Sequence, residues 1–433
     1  MDLLEGTQEL PPLRCATAGS VDDGKSTLIG RLLFDAKAVY VDQLAHLSEV
    51  SERRGLAQRD LALLTDGLRA EREQGITIDV AWRYFATSAR RFILADSPGH
   101  VQYTRNMVTA ASDADVAIVL VDALRGITEQ TRRHLFIARL LGARGVTVAV
   151  NKMDQVGYSL EVFSRLREEV ASYLSGIVLP RAPLELVFIP LSALHGDNIV
   201  HSSTAMPWYD GPTLLSHLER APVDHDREGA PGRMFVQSVI RRQPDFRGVA
   251  GRIASGTFRP GDEVRILPAE NTVTLASVET ADGPLAEGAA GMSVTLRFAA
   301  DLDVGRGDLV TTTHKEGAYP APTIGRELVA DMAWMHKTRA ATGVTYLLKL
   351  GTREVRATIE ALVASYDVAT GSEVPFGDRE LGLNELARVR IRTAEPIAFD
   401  PYSVSRRTGS FLLIDPTSGD TLAGGMARDD GRP

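Results

Sequence analysis

The sequence predicts an α/β domain, a mostly parallel sheet with helices on both faces, followed by two small all-β barrels. Three observations predict it. In the first half, short apolar runs alternate with helical patterns, the sign of βαβ units. The stretch APVDHDREGAPG (Ala221 to Gly232) then breaks that rhythm with proline, glycine and charge, as linkers do. Beyond it, β-branched runs recur between Gly, Pro and Asp at spacings that suit barrels. The expected domain limits are 1–222, 230–324 and 325–427. A chain of 433 residues, at roughly 150 per domain, agrees with three.

Taken in order, LRCATAG (Leu13 to Gly19) is an apolar run that reads as a buried strand, and KSTLIGRLLF (Lys25 to Phe34) as the helix after it. RFILAD (Arg91 to Asp96), DVAIVLVD (Asp115 to Asp122) and VTVAVNK (Val146 to Lys152) are short apolar strands ending in polar residues. Helices are expected over Tyr103 to Ala111, Glu129 to Leu141 and Leu160 to Leu174, and a further strand over Leu184 to Ala193. Between Asp35 and Gly75 the chain is polar and highly charged, which by itself suits a solvated helical excursion. After the linker, MFVQSVIR, GVAGRIASGTF, DEVRIL, MSVTLRF and DLVTT supply one barrel. RELVADMAWM, YLLKLGTREVRATI, ARVRIRT and GSFLLID, starting near Gly325, supply the second.

At 44% hydrophobic and 24% charged residues, the composition excludes a disordered polymer and a collagen-like repeat. The formal net charge of −8 offers no general attraction to phosphate backbones or anionic lipids. No nucleic-acid or membrane partner is therefore expected, although a local basic patch stays open. Cys15 is the single cysteine and points to a reducing compartment. The acidic opening MDLLEGTQEL is unlike a secretory signal, and no stretch approaches the roughly 18 apolar residues of a membrane span. A cytoplasmic protein is the expectation.

In such sheets ligands sit beyond the carboxyl ends of the strands, so the polar residues there carry the chemistry. GSVDDGKS fits G-x-x-x-x-G-K-[ST] between strand and helix: Gly19, Ser20, Val21, Asp22, Asp23, Gly24, Lys25 and Ser26, with Thr27 next. Its glycines let backbone N–H groups face a phosphate chain. Lys25 is expected to neutralise the β- and γ-phosphates, and the Ser26 hydroxyl to ligate Mg²⁺. The loop alone does not choose between ATP and GTP. NKMD (Asn151 to Asp154) makes that choice, because the Asp154 carboxylate accepts from the N1–H and 2-amino group of guanine and adenine has no donor at either place. Lys152 is expected to lay its aliphatic stem over the base. In SAL (Ser192, Ala193, Leu194), the Ala193 N–H is a candidate donor to guanine O6. DSPGH supplies Asp96, expected to hold Mg²⁺ through water, Gly99, whose N–H faces the γ-phosphate, and His100, which orients the attacking water. EREQGITID supplies Thr77, whose hydroxyl completes the Mg²⁺ shell. Jointly, and in this order, the motifs predict guanine-nucleotide binding and GTP hydrolysis, with GTP and Mg²⁺ as cofactors.

REQGITID, DSPGH followed by QYTRNM (Gln102 to Met107), and two barrels after the nucleotide domain resemble the translation-factor branch of GTPases. Longer strings resemble one family within it, the GTP-binding large subunit of bacterial ATP sulfurylase (sulfate adenylyltransferase subunit 1). They are GSVDDGKSTLIGRLLFDAK (Gly19 to Lys37), with Asp23 where elongation factors usually carry histidine, and LALLTDGLRAEREQGITIDVAWRYF (Leu61 to Phe85). MPWYDGPTLL (Met206 to Leu215) and RRTGSFLLID (Arg406 to Asp415) complete them, and the likeness runs from about Leu13 to Ala427.

The resemblance implies the roles given above for Lys25, Ser26, Thr77, Asp96, His100, Asn151, Lys152, Asp154 and Ser192. It implies that GTP hydrolysis drives formation of adenylylsulfate and pyrophosphate from ATP and sulfate. A smaller partner subunit carrying the ATP and sulfate site follows too, in a heterodimer or higher heteromer. Family members usually read Asp-Thr-Pro-Gly-His-Glu-Gln-Tyr where this chain has Ser97 and Val101, so altered packing is expected there rather than lost hydrolysis. Some relatives continue into an adenylylsulfate kinase domain, which needs a second phosphate loop; no second one follows in this sequence, so no such domain is expected in it. The competing class is an elongation-factor-like GTPase that binds RNA and ribosome, against which Asp23 and the MPWYDGP and RRTGSF strings discriminate.

Overall fold

A computed structural model describes residues 10–38, 61, 79–98, 104–177, 179, 184–223, 229–241, 247–313, 319–377 and 379–429. The chain divides into two compact units, Met1–Val223 with Asp367–Ser372, and Asp224–Tyr366 with Glu373–Pro433.

The first unit is built on a six-stranded sheet: β1 (Leu13–Ala18), β2 (Ala81–Ala86), β3 (Arg91–Asp96), β4 (Val116–Asp122), β5 (Gly145–Asn151) and β6 (Glu185–Pro190) in the order β2-β3-β1-β4-β5-β6. β4 and β5 are buried along their whole length, as a central strand covered on both faces requires. All pairs are parallel except β2 with β3, which run antiparallel from Ala81↔Asp96 to Ala86↔Arg91. β2 is an edge strand, AWRYFA, with Trp82 and Tyr84 exposed on one face and Phe85 stacked on Phe92 at 4.6 Å on the other. Sequence reading passes it over because its alternation lacks the continuous apolar run of its neighbours.

The helices are α1 (Lys25–Asp35), α2 (Thr104–Ser112), α3 (Glu129–Leu140), α4 (Leu160–Gly176) and α5 (Leu214–Arg220). Hydroxyls start three of them. Thr128, Ser159 and Thr213 each accept the backbone N–H three residues on, a cap worth about 1 kcal/mol. At the other end of α5, the buried Arg90 guanidinium donates to the carbonyls of Leu218, Glu219 and Ala221 and to that of Pro11, satisfying acceptors the helix leaves open. Among the described residues no helix is long and apolar enough to cross a membrane.

His134 on α3 is a buried polar group in this core. The Gln130 amide N–H donates to its Nε2 at 2.8 Å, while His134 Nδ1 and Gln130 Oε1 have no partner. Burial, helped by repulsion from Lys25 and Arg133, pushes its pKa down from 6.5 to about 3. Between those two values the unfolded chain holds a proton there and the folded one does not. Its effect is therefore absent above pH 6.5 and grows as a loss of stability while pH falls toward 3. His134→Leu is expected to flatten the acid limb of stability by up to about 1.4 kcal/mol per pH unit. Denaturant unfolding at several pH values measures this, and equal slopes in both proteins would rule His134 out.

The second unit holds two closed six-stranded barrels. The first runs Glu263–Leu267, Leu309–Thr312, Arg233–Phe235, Arg247–Ser255, Ser293–Phe298 and Asn271–Thr280, and closes back on Glu263–Leu267. Thr345–Leu350, Ser410–Ile414, Thr421–Ala427, Thr323–Trp334, Leu386–Phe399 and Arg353–Asp367 form the second, closed by pairing Arg353–Asp367 with Thr345–Leu350. Met234, Ile253, Phe258, Val264 and Leu296 fill the first barrel, and Trp334, Leu348, Ile359, Val389 and Leu413 the second. Two barriers to substitution join them. Gly351 (φ 54°) lies against the Phe235 ring, where a Cβ would come within 2.3 Å. Buried Arg233 forks onto Asp400, with Nε to Oδ2 at 3.1 Å and Nη2 to Oδ1 at 3.3 Å, while Thr408 Oγ1 donates to Asp400 Oδ2 at 2.6 Å.

The polar excursion after Asp35 falls largely outside the described residues, as do Thr77, Gly99, His100 and Val101.

Candidate nucleotide site

The phosphate-loop sequence leaves β1 and enters α1. Asp22 (φ 68°) and Gly24 (φ 91°) are left-handed, which turns the chain sharply between strand and helix. A Cβ on Gly24 would lie 2.5 Å from Asn151 Nδ2, so glycine is required twice over. No side chain caps α1 at Gly24 and no acidic residue stands in its first turn. The backbone donors there, with the positive end of the helix dipole, suit an anion.

Lys25 Nζ donates to the carbonyls of Gly19 at 2.8 Å and Ser20 at 3.2 Å. Burial lowers its pKa, against the opposing pull of Asp96, Asp23 and Asp22. Asp23 is itself buried, and its Oδ2 accepts the Ser20 N–H at 2.6 Å, bracing the loop from inside. Desolvation drives its carboxyl above the ordinary range in spite of that bond and of Lys25. Asp96, buried at the end of β3, accepts from Thr17 Oγ1 at 3.3 Å. Ser97 is fully buried and its hydroxyl donates to the Thr17 carbonyl, which ties the residue after β3 to β1.

Asn151 is the hinge-pin of the site. At the end of β5, its Nδ2 donates to the Asp23 carbonyl at 2.8 Å and its Oδ1 accepts the Ala193 N–H at 2.9 Å. Phosphate loop and SAL loop thus meet on one amide. The Ala193 N–H has Asn151 Oδ1 as its acceptor here, so donation to a guanine O6 would require that acceptor to be shared or exchanged. Asp154 Oδ1 accepts from Ser192 Oγ at 2.6 Å, and its Oδ2 faces His195 Nε2 at 4.0 Å. Ser192 therefore has a role the tripeptide alone does not reveal, holding one oxygen of the Asp154 carboxylate. Lys152 is left-handed (φ 63°) and its Nζ pairs with Asp122 Oδ2 at 2.8 Å. Leu194 is exposed, and Val21 presents its carbonyl to Arg125 Nη1 at 2.9 Å. Ser26 and Thr27 open α1 beside Lys25.

Residues 11–239 match the family model described as Elongation factor Tu GTP binding domain, and residues 327–428 match GTP-eEF1A C-terminal domain-like. "Sulfate adenylyltransferase subunit 1" of Aeromonas hydrophila is 45% identical over 425 residues, spanning 98% of this chain and 87% of the relative. The chain belongs to the sulfate adenylyltransferase subunit 1 family. A further relative, "Bifunctional enzyme CysN/CysC" of Mycobacterium tuberculosis, is 49% identical over 423 residues, 96% of this chain and 67% of that protein. A solved structure of Sup35 complexed with GMPPNP aligns over 97% of this chain and 94% of its own at 23% identity, with a TM-score of 0.44.

In this member of the sulfate adenylyltransferase subunit 1 family, several residues support the site without belonging to a motif. Asp122 closes β4 and receives Lys152 together with the N–H groups of Leu124 (2.8 Å) and Arg125 (3.4 Å). Burial alone would raise its carboxyl; the Lys152 bond and the two N–H donors outweigh it and hold it below the usual range. Thr128 joins the α3 cap to the phosphate loop, its hydroxyl lying 2.9 Å from Ser20 Oγ. The only sequence signal for Asp122 is its place as the polar end of an apolar strand.

Proposed function

We propose that this chain is the GTP-hydrolysing subunit of a sulfate adenylyltransferase. GTP turnover would drive adenylylsulfate and pyrophosphate formation from ATP and sulfate at the active site of a smaller partner subunit, in a heterodimer or higher heteromer. One observation carries the reading: Asp154, anchored by Ser192, is linked through Asn151 to the phosphate loop. That is the juxtaposition a guanine nucleotide needs, in a chain 45% identical over nearly its full length to proteins named for sulfate adenylyltransferase.

Sulfate is a weak nucleophile and the mixed anhydride is a high-energy bond, so the uncoupled equilibrium lies toward ATP and sulfate. GTP hydrolysis shifts it only if a conformational change links the two sites. In this chain Lys25 would hold the β- and γ-phosphates, having two loop carbonyls to exchange for them. Asp154 would read the base, and Lys152, steered by Asp122, would cover its face. His100 would orient water, and the domain limits 1–222, 230–324 and 325–427 serve as the working division. Mg²⁺, when bound, neutralises charge on the phosphates; Ser26, Thr77 and Asp96 would hold it. Among the described residues no trio of His, Cys, Asp or Glu forms a metal cage. An ion held by a hydroxyl, a carboxylate and phosphate oxygens needs none.

The test is reconstitution. The chain is mixed with candidate small subunits, and sulfate-dependent pyrophosphate release is measured with and without GTP. Release accelerated by GTP, and by ATP alone much less, is the expected result. Sulfate activation that ignores GTP would overturn the coupling, and an RNA-stimulated GTPase without sulfate dependence would favour the translational class.

A further inference from the structure

We propose that Arg31 is a positioning residue for guanine recognition, setting the height of the loop that carries Ser192 and, through it, the Asp154 carboxylate. The inference rests on the guanine-site reading above.

Arg31 lies on α1, six residues after Lys25, a rise of about 9 Å along the helix. Its side chain is mostly covered and runs beneath the loop after β6. Nη2 donates to the Leu194 carbonyl at 2.6 Å and Nε to the Ala193 carbonyl at 3.3 Å. The loop it meets is a closed turn: the Gly196 N–H donates to the Ser192 carbonyl at 2.8 Å, with Gly196 left-handed at φ 86°. Arg31 and Asp35 form the floor of that turn, since a Cβ on Gly196 would stand 3.2 Å from Asp35 Oδ2 and 3.5 Å from Arg31 Cδ. The Arg31–Asp35 pair itself, at 3.7 Å, is a weak i,i+4 contact. The bonds that matter are the charged ones to two successive carbonyls, which a planar fork makes with little freedom to move.

One rigid helix thus carries the phosphate lysine at its start and a clamp on the base-reading loop further on. Without the clamp the turn can rise, and Ser192 no longer fixes Asp154 Oδ1 at 2.6 Å. Losing that anchor lets the carboxylate swing about Oδ1, which carries Oδ2 away from the guanine 2-amino group, a donor that inosine lacks.

The experiment compares GDP and IDP binding to the full chain by calorimetry in the wild type, Arg31→Met and Arg31→Lys. The wild type is expected to prefer GDP. Arg31→Met should lose about tenfold in GDP affinity or more, with a smaller loss for IDP, so that the ratio collapses. Arg31→Lys serves one carbonyl and should give an intermediate ratio. Equal losses for both nucleotides, or a wild-type ratio in Arg31→Met, overturn the proposal. Should Arg31→Met fail to fold, Arg31→Lys decides: a wild-type ratio overturns it. A wild type that prefers neither GDP over IDP nor GDP over ADP would instead overturn the guanine reading itself.

Discussion

Asp154→Asn is expected to move nucleotide preference from guanine toward xanthine, by a combined factor on the order of 10⁴. The carboxylate offers two acceptors, which match the N1–H and 2-amino donors of guanine. Asparagine offers one acceptor and one donor. Xanthine keeps N1–H but carries a carbonyl at position 2, so it pairs with the amide, while guanine is left with two donors facing one. Ser192 donates to Oδ1, which favours keeping oxygen there and placing the new nitrogen where Oδ2 now stands. Burying an unpaired donor costs about 1–3 kcal/mol, and the swap charges it to guanine and relieves xanthine of it. Competition between GDP and XDP measures the change. Unchanged preference would mean that Asp154 does not touch the base.

The second large effect concerns stability. Asp400→Ala leaves the Arg233 guanidinium buried with no carboxylate, and truncating one member of such a pair costs about 3–5 kcal/mol. Arg233 keeps only Thr311 Oγ1 and the Gly232 and Pro320 carbonyls, and Thr408 loses its acceptor. Removing both charges with Arg233→Met and Asp400→Leu should cost less than either single truncation, because no ion is then stranded. Denaturant midpoints of Asp400→Ala, Arg233→Met and the double variant decide it. A single variant within about 0.5 kcal/mol of wild type would show the pair to be hydrated in solution.

Much of the α/β half was readable because its strands are buried on both faces and therefore spell continuous apolar runs. β3 matches its sequence limits, and β1, β4 and β5 agree to within a residue or two. The barrel strand Thr421–Ala427, TLAGGMA, escapes notice because glycine is a poor strand former. Its Gly425 is there for contact: the Phe411 ring occupies the position a Cβ would take, at 2.1 Å. Asn271–Thr280 is hidden for a different reason, its outward positions being polar and its inward ones few.

The motifs at the strand ends are local in sequence, a phosphate-loop pattern between β1 and α1 and an Asn-Lys-x-Asp tetrapeptide at the end of β5, so their positions could be read directly. Their supports could not. Arg31 and Leu194 are 163 residues apart, and Arg233 and Asp400 are 167 apart. Such pairs follow from the fold and leave no local trace. Lys152, left-handed at φ 63°, likewise reaches Asp122, a partner thirty residues earlier that the tetrapeptide does not name.

Ring closure of both sheets has a consequence for how this molecule can be joined to others. A closed ladder has no border on which a foreign strand could template itself. Among the described residues, the strands that pair onto the rings from outside are short, Ser238–Arg241, Gly283–Leu285 and Ser372–Pro375, and the last two each carry a proline that cannot donate to an incoming backbone. The rings themselves thereby leave recognition to side-chain chemistry, and the outer strands that a foreign backbone could meet are only three or four residues long.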